Sequence, residues 1–304
     1  MGEVIDPGFV PTKEERLRVH EAVAAAGQYF RRELLRANAD WPARFLRSRG
    51  LENTMAAGAT WKVGYAPESY SGLTDHLRKR GFDLATLVRS GLTGWTDEGA
   101  AIDRHRDRIM FLARNDRLEP VGFVGIDRNG RVDSLTASTA FHQPSNVLVG
   151  VKEQIDLLDA GATPVIVDSP TDALAIEELS RMTTRDYVGV PLCESPLSSA
   201  QARMLARHSE TDHAIVMIPT ARPGRERAVG ASLDLALFFD RIRVIPRPPD
   251  HAMSIMSHSP HERLNMLTYL ALARPLTGHR NGVNDNGTQH TSLDIEDPGP
   301  GLGP

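Results

Sequence analysis

Short apolar runs alternate with helical segments between residues 163 and 246, and this alternation constrains the fold more than any other feature of the sequence. The apolar runs are rich in β-branched side chains, which favour strands. The pattern predicts strands at 164–168, 187–191, 213–219 and 241–246, with helices between them at 170–182, 197–208 and 225–239. Strands joined by helices through short connections are typical of a parallel sheet with right-handed crossovers. We therefore predict an α/β fold.

Two carboxylates lie where the first of these strands meets its helix. Asp168 ends the strand, and Asp172 follows in the first turn of the helix. Ligands of open α/β sheets bind beyond the carboxyl ends of the strands, so a metal or phosphate site is expected at this position. Ser169 and Asp172 also form a helix-capping pattern, with Pro170 at the first helical position. The same residues are therefore compatible with a well-capped helix that has no binding role.

The first half of the chain has a different pattern. Apolar spacing and glycine stop signals predict helices at 14–37, 42–49, 72–80 and 84–90. Apolar runs at 108–114 and 121–126, separated by a turn-like segment, indicate a β-hairpin. We expect an N-terminal α+β subdomain at 14–155, followed by the parallel α/β domain at 160–250.

The ends of the chain and its overall composition suggest further expectations. Residues 1–13 are predicted to be a flexible tail, 251–276 a helical segment, and 277–304 a disordered tail that is poor in apolar residues. Cys193 is the only cysteine, which excludes an internal disulfide and a zinc site built from several cysteines. No secretory signal and no apolar run of the roughly 20 residues needed for a membrane span is evident. We expect a cytoplasmic protein without a membrane partner.

Several stretches, in the right order, resemble the catalytic core of the bacterial DnaG-type DNA primases. The resemblance extends over about residues 20–250. It rests on an R-G-L at 49–51, a G-Y-A-P at 64–67, and the string D-R-H-R-D-R-I-M-F at 103–111, which differs from the family only at His105. The run V-I-V-D-S-P-T-D at 165–172 is similar to the first motif of the Toprim fold within that family, with Asp168 in place of a glutamate.

The resemblance implies primer synthesis with Mg²⁺ or Mn²⁺, in which carboxylates hold the ions that bind the triphosphate. The implied catalytic residues are Asp168 and Asp172, and the implied metal ligands are these two acids and Asp250. The family has two further aspartates where this chain has Pro219 and Ala221, when the family glycine is aligned with Gly224. The family also has a lysine at the position of Gln143. The metal site is therefore expected to be degenerate.

The candidates for nucleic-acid or nucleotide contact are arginines. Arg104, Arg106 and Arg108 have alternate spacing, which in a strand places all three on one face. Arg222, Arg225 and Arg227 lie near a predicted helix start, where they can contact phosphates, and Arg222 is expected to oppose metal binding by Coulomb repulsion. The alternatives are a surface ion network with Asp103 and Asp107 for the first group, and a solvated loop for the second.

Three functions remain open at this point. The first is a primase-like protein of DNA replication that binds single-stranded DNA or nucleoside triphosphates and has weakened or lost polymerase activity. The second is an active primer-synthesising polymerase with an altered metal site. The third is a non-enzymatic Toprim-fold module that interacts with other proteins in a replication or mobile-element complex.

Overall fold

The computed structural model describes residues 11–37, 40–133, 139, 141, 143–219, 222–245, 268, 270 and 271. All of these residues belong to one compact unit. No helix in these ranges combines the length and the apolar character that crossing a membrane requires. The predicted tails at 1–13 and 277–304 lie almost wholly outside the described residues, as does most of the segment 251–276.

Except for a short helix at Ile155–Asp159 that was not predicted, the described helices lie within a few residues of the predicted positions. They are α1 (Lys13–Arg36), α2 (Trp41–Arg47), α3 (Gly72–Lys79), α4 (Leu84–Arg89), α5 (Ile155–Asp159), α6 (Pro170–Arg181), α7 (Ser199–Arg207) and α8 (Gly224–Leu235). Short 3₁₀ turns span Glu52–Met55, Pro144–Asn146 and Lys152–Gln154. Helix α1 begins at Lys13 because Thr12 and Glu15 form a reciprocal capping box.

The first half of the chain forms an antiparallel sheet. Its strands are β1 (Gly64–Ala66), β4 (Arg108–Arg114), β5 (Pro120–Ile126), β6 (Val132–Asp133) and β7 (Leu148–Val149), and β2 (Thr93–Trp95) pairs separately with β3 (Ala101–Asp103). The order is β1-β4-β5-β6, with β7 also paired to β4. Strands β4 and β5 form the predicted hairpin. Helix α1 packs against β1 and β5.

The second half contains the predicted parallel sheet. Its strands are β8 (Thr163–Val167), β9 (Tyr187–Pro191), β10 (His213–Met217) and β11 (Arg241–Val244), in the order β11-β10-β8-β9. Every neighbouring pair is parallel. The carboxyl ends of β8 and β10 therefore lie at the same edge of the sheet, and this edge carries Asp168 and the start of α8.

Two layers of helix enclose the parallel sheet. Successive side chains of a strand point to opposite faces, so Val165 and Val167 join the core cluster that includes α6, whereas Ile166 joins the cluster that includes α7 and α8. Helix α6 is buried from Pro170 to Ser180. The core cluster on its side also contains Phe111 of β4 and Leu270, so it joins both sheets. The proposed division between residues 155 and 160 stays a prediction.

Candidate nucleic-acid surface and carboxylate site

Asp168 lies directly beyond the end of β8, as the sequence predicts, but its carboxylate is paired with an arginine. Arg227 lies in the first turn of α8 and donates from Nη2 to both oxygens of Asp168, at 3.0 Å and 2.8 Å. Each side chain is only 16% exposed. A charge-assisted contact in such a poorly solvated position is strong, because water screens it little. The sequence analysis considered Arg227 only for phosphate contact and did not predict its pairing with Asp168.

Asp172 is 4% exposed and takes part in the cap of α6. The hydroxyl of Ser169 donates to Oδ2 of Asp172 at 2.9 Å, and the backbone N–H of Asp172 donates to the same hydroxyl at 3.2 Å. The predicted capping of α6 by Ser169 is therefore confirmed, and the catalytic and metal-binding roles of Asp172 stay predictions. Burial lowers the pKa of Arg49, while the negative charge of Asp172 acts to raise it. The arginine of the R-G-L stretch thus feels the charge of the second carboxylate.

The described residues do not fit a divalent cation. They contain no group of three or more carboxylate, histidine or cysteine side chains arranged to hold an ion. A hard divalent ion needs several oxygen ligands, and the carboxylate of Asp168 already binds a guanidinium. Asp250, the third predicted ligand, and Ala221 lie outside the described residues. The assignment of Asp168, Asp172 and Asp250 as a metal site stays a prediction that the geometry does not favour.

The predicted roles of Arg222 and Arg225 in phosphate contact stay predictions. The side chain of Arg222 is 88% exposed and lies 3.5 Å from Glu226, one helical turn away, whereas Arg227 is the arginine that faces the carboxylate. Arg225 is exposed at the start of α8. Sequence reasoning identified the cationic helix start but not which of its arginines faces Asp168 at the end of β8, because that depends on the rotation of α8 about its axis.

Gly224 explains how α8 can begin so close to β10. A Cβ atom at this position would lie 2.2 Å from the carbonyl oxygen of Pro219, which is far inside contact distance. Only glycine permits this approach of two backbone segments. The alignment of Gly224 with the family glycine is therefore physically consistent, and it places Arg227 within reach of Asp168.

The arginines of the D-R-H-R-D-R string come together in a way that differs from the prediction. Strand β3 ends at Asp103 and β4 begins at Arg108, so Arg104 and Arg106 lie in the connecting loop. The prediction that one face of a strand carries all three arginines is therefore wrong. All three arginines nevertheless line one cavity of about 390 Å³, together with Glu68, His105, Asp107 and Asp133. The loop, rather than strand periodicity, brings them to one place.

The two acids of this string have structural partners that the sequence analysis did not predict. Asp103 is 4% exposed and accepts hydrogen bonds from the backbone N–H groups of Leu73 and Thr74, at 2.8 Å and 2.9 Å. It thereby caps α3, and burial raises its pKa against the opposing effect of these donors. Asp107 accepts from Arg128 at 2.6 Å. The carboxylates of Asp103 and Asp107 therefore bind the first turn of α3 and Arg128. These contacts take the place of the surface ion network with Arg104, Arg106 and Arg108 that the sequence left open.

Asp107 also connects two of the stretches that carry the family resemblance. It accepts from Nε1 of Trp41 at 2.6 Å and from the hydroxyl of Tyr65, the tyrosine of G-Y-A-P, at 3.0 Å. Burial opposes ionisation of Asp107, but these donors and Arg128 lower its pKa. Burial and the bond to Asp107 raise the pKa of Tyr65 to about 12. The G-Y-A-P stretch therefore supports the loop that carries the arginines.

Two residues beside this loop complete the surface. Arg108 donates to Asp133 at 2.6 Å. The guanidinium carbon of Arg106 lies 5.0 Å from the ring centre of Tyr70, which is within the range of a cation–π contact. Tyr70 is 72% exposed, so one face of an arginine–aromatic pair is open to solvent. Sequence reasoning missed Tyr70, because nothing in its local pattern distinguishes it from other loop tyrosines.

A second cavity contains the residue that replaces the family lysine. It has a volume of about 590 Å³, and its lining includes Phe141, Gln143, Arg203 and Arg207. The two arginines are one turn apart on α7, so they lie on the same face of the helix. Their spacing was readable in the sequence, but their position opposite Gln143 was not. Arg207 also lies 3.6 Å from Asp116.

Comparison with known proteins agrees with these observations. Residues 29–147 match the family model of the DNA primase catalytic core, N-terminal domain. The chain is 31% identical over 207 residues to a DNA primase of Streptomyces coelicolor, covering 66% of this chain and 31% of that protein. It is 28% identical over 190 residues to a DNA primase of Listeria monocytogenes, covering 62% and 29%. The chain thus matches about a third of the length of these relatives.

Solved structures share the fold. The RNA polymerase domain of Mycobacterium tuberculosis primase DnaG superposes with a TM-score of 0.63 at 23% identity, covering 83% of both chains. A DnaG primase catalytic domain bound to single-stranded DNA gives a TM-score of 0.64 at 19% identity, covering 85% of this chain and 83% of that one. Residues 29–147 therefore match the catalytic core of the DnaG-type DNA primases, and the chain shares the fold of these cores.

Proposed function

We propose that this chain is a primase-like protein of DNA replication that binds single-stranded DNA, and that its polymerase activity is weakened or lost. The observation that carries the proposal is the gathering of Arg104, Arg106 and Arg108 around one cavity, next to the exposed ring of Tyr70. A DnaG catalytic domain of similar fold has been solved with single-stranded DNA bound. That similarity supports DNA as the partner.

The chemistry of the surface suits a single strand. Proteins that bind single strands combine cationic groups along the backbone with aromatic rings on which bases stack. Arg108 is engaged by Asp133, and the carboxylate of Asp107 is engaged by Arg128. Arg106 and Tyr70 are therefore the best-placed pair for this contact, with the guanidinium binding a phosphate and the ring stacking on a base.

Nucleoside triphosphates are a second ligand class that the proposal includes. The cavity at Gln143 offers Arg203 and Arg207 for phosphate oxygens and Phe141 for a base. Arginine suits such contacts because its planar fork binds two phosphate oxygens at once. This site would bind a nucleotide without a carboxylate-bound metal ion.

The loss of polymerase activity is inferred from the carboxylate site. Nucleotidyl transfer with Mg²⁺ or Mn²⁺ needs ions held in line with the attacking and leaving oxygens. Asp168 is paired with Arg227, and Pro219 stands where the family has an aspartate. The alternative of an active polymerase requires template-dependent incorporation of ribonucleotides that is lost in both Asp168→Ala and Asp172→Ala. The alternative of an interaction module requires a stable complex with a replication protein and no DNA binding.

The DNA proposal is tested by fluorescence polarisation with a labelled oligonucleotide at several salt concentrations. Arg106→Ala is expected to weaken binding and to reduce the slope of log K against log salt by about 0.7, the effect of one lost phosphate contact. Tyr70→Ala is expected to lose roughly 1–3 kcal/mol of binding free energy, the contribution of one stacked base.

Arg36→Ala is the matched control. It also removes one arginine, but Arg36 is 72% exposed at the end of α1 and is paired with Glu33. The Arg36→Ala variant should bind the oligonucleotide with the affinity of the unmodified protein and with the same slope of log K against log salt. The proposal is refuted if the unmodified protein does not bind, or if all three variants weaken binding equally.

A further inference from the structure

We infer that Arg227 acts as the resident counter-cation of Asp168, in the place that a divalent metal ion would otherwise take. The inference extends the proposed loss of polymerase activity and rests on it. It makes a separate claim: the crevice at the end of β8 is held together without metal.

The contact geometry is the first support. A single nitrogen, Nη2 of Arg227, lies 3.0 Å from Oδ1 and 2.8 Å from Oδ2 of Asp168. One cationic centre therefore bridges both carboxylate oxygens, as a bidentate metal ion does. An ion that coordinates both oxygens would need the space that Nη2 fills, so binding of the ion and of the guanidinium is mutually exclusive.

The way in which the cation is attached is the second support. Arg227 is covalently fixed in the first turn of α8, and Gly224 allows that turn to approach β10 closely. A guanidinium remains charged at every pH at which the protein is folded. An ion from solution would have to displace a permanently present, 84% buried partner, and would then leave the guanidinium buried without a counter-charge.

The environment of Arg227 is the third support. Its Nε atom is buried and has no hydrogen-bond partner within the described part of the chain. A buried donor without a partner costs free energy, so the surroundings of Nε do not favour the buried position of the Arg227 side chain. The pairing of Nη2 with Asp168 supplies the compensating interaction. Removing that interaction should therefore be costly for this arginine in particular.

The second carboxylate also lies within electrostatic range of an arginine. Asp172 exerts a stabilising electrostatic effect on the charged form of Arg49, whose guanidinium is stacked 3.6 Å from the centre of the Phe45 ring. Both acids of the Toprim-like motif thus lie in the field of an arginine from another element.

Thermal unfolding of the full chain in EDTA and in millimolar Mg²⁺ or Mn²⁺ tests the inference. The unmodified protein is expected to melt at the same temperature in all three conditions. Arg227→Met should melt roughly 5–10 °C lower in EDTA, because it removes the cation that contacts both oxygens of a poorly exposed carboxylate. The double variant Arg227→Met with Asp168→Asn should recover most of that loss, since the amide carries no charge.

Arg225→Met is the matched control, because Arg225 lies on the same helix but is exposed. It should melt like the unmodified protein. If Arg227→Met does not fold, calorimetric titration of Mn²⁺ into the unmodified protein and Asp168→Asn still decides the question, since the two isotherms should be the same. A metal-dependent rise in the melting temperature of the unmodified protein that Asp168→Asn abolishes would overturn the inference.

DNA binding separates this inference from the proposed function. Arg227 does not line the cavity of Arg104, Arg106 and Arg108 and is engaged by Asp168, so the Arg227→Met variant is expected to bind single-stranded DNA like the unmodified protein. If the unmodified protein does not bind single-stranded DNA but the melting temperatures are as expected, the proposed function alone is refuted. Metal-dependent melting with intact DNA binding would refute this inference alone.

Discussion

Replacing His105 with phenylalanine should remove a large part of the acid sensitivity of the fold. His105 is the one position at which the string at 103–111 departs from the DnaG pattern, which has phenylalanine there. The imidazole is buried against Phe30 and Phe123, with ring centres 6.5 Å and 6.0 Å away in edge-to-face arrangements. Burial lowers the pKa of His105 from 6.5 to about 4.

The magnitude follows from linkage. The unfolded chain binds a proton on this histidine near pH 6.5 and the folded protein only near pH 4, so its contribution to stability is complete above pH 6.5 and is lost as the pH falls through this window. One pKa unit corresponds to roughly 1.4 kcal/mol, so the loss between pH 7 and pH 5 is about 2 kcal/mol. His20 and His76 also have lowered pKa values through burial and should contribute further acid loss that the substitution leaves in place.

Urea unfolding at pH 7 and pH 5 measures this difference. The free energy of unfolding of His105→Phe should fall by about 2 kcal/mol less between the two pH values than that of the unmodified protein. His208→Gln is the control, because it also removes one histidine, but at the partly exposed end of α7. Its free energy of unfolding should fall between pH 7 and pH 5 by as much as that of the unmodified protein. An unchanged pH dependence in His105→Phe would refute the reasoning, since it would show that the imidazole is not buried in its neutral form.

Three further substitutions test the packing of the fold and one of its buried hydrogen bonds. Gly189→Ala should destabilise the protein by about 1–3 kcal/mol in urea unfolding, because the new Cβ would lie 2.4 Å from the carbonyl oxygen of Ala173 and force α6 away from β9; Gly230→Ala, with open space around it in α8, should be neutral or stabilising by up to about 1 kcal/mol. Equal effects of the two glycine substitutions would contradict this account. Tyr65→Phe should lower the free energy of unfolding by about 1 kcal/mol in the same assay, because Asp107 loses one of its hydrogen-bond donors. A spectroscopic titration of this variant should lack the tyrosine whose pKa is about 12, and an unchanged titration curve would contradict that assignment.

The sequence was most informative where structure is local. The parallel direction of β8 to β11 follows from strands and helices that alternate with short connections, and the helix bounds follow from capping and glycine signals such as the one at Ser169. These features depend on neighbouring residues. They could therefore be predicted before any tertiary contact was known.

The candidate site was less predictable because its contacts join distant parts of the chain. Arg227 reaches Asp168 across 59 positions, and Trp41 reaches Asp107 across 66. Alternate arginine spacing suggested a strand at 104–108, but the side chain of Asp103 turns to cap α3 and the chain leaves the sheet there. Local periodicity cannot reveal such a capping contact, because α3 lies about thirty residues earlier.

The most direct test of the central claim is the affinity for single-stranded DNA measured with and without divalent cations. The account predicts that the full chain binds a labelled oligonucleotide in EDTA, and that adding Mg²⁺ at constant ionic strength leaves the affinity unchanged, because arginines supply every positive charge that the surface and the crevice need. Binding that appears only with Mg²⁺ or Mn²⁺, and that is lost in Asp168→Asn, would contradict it.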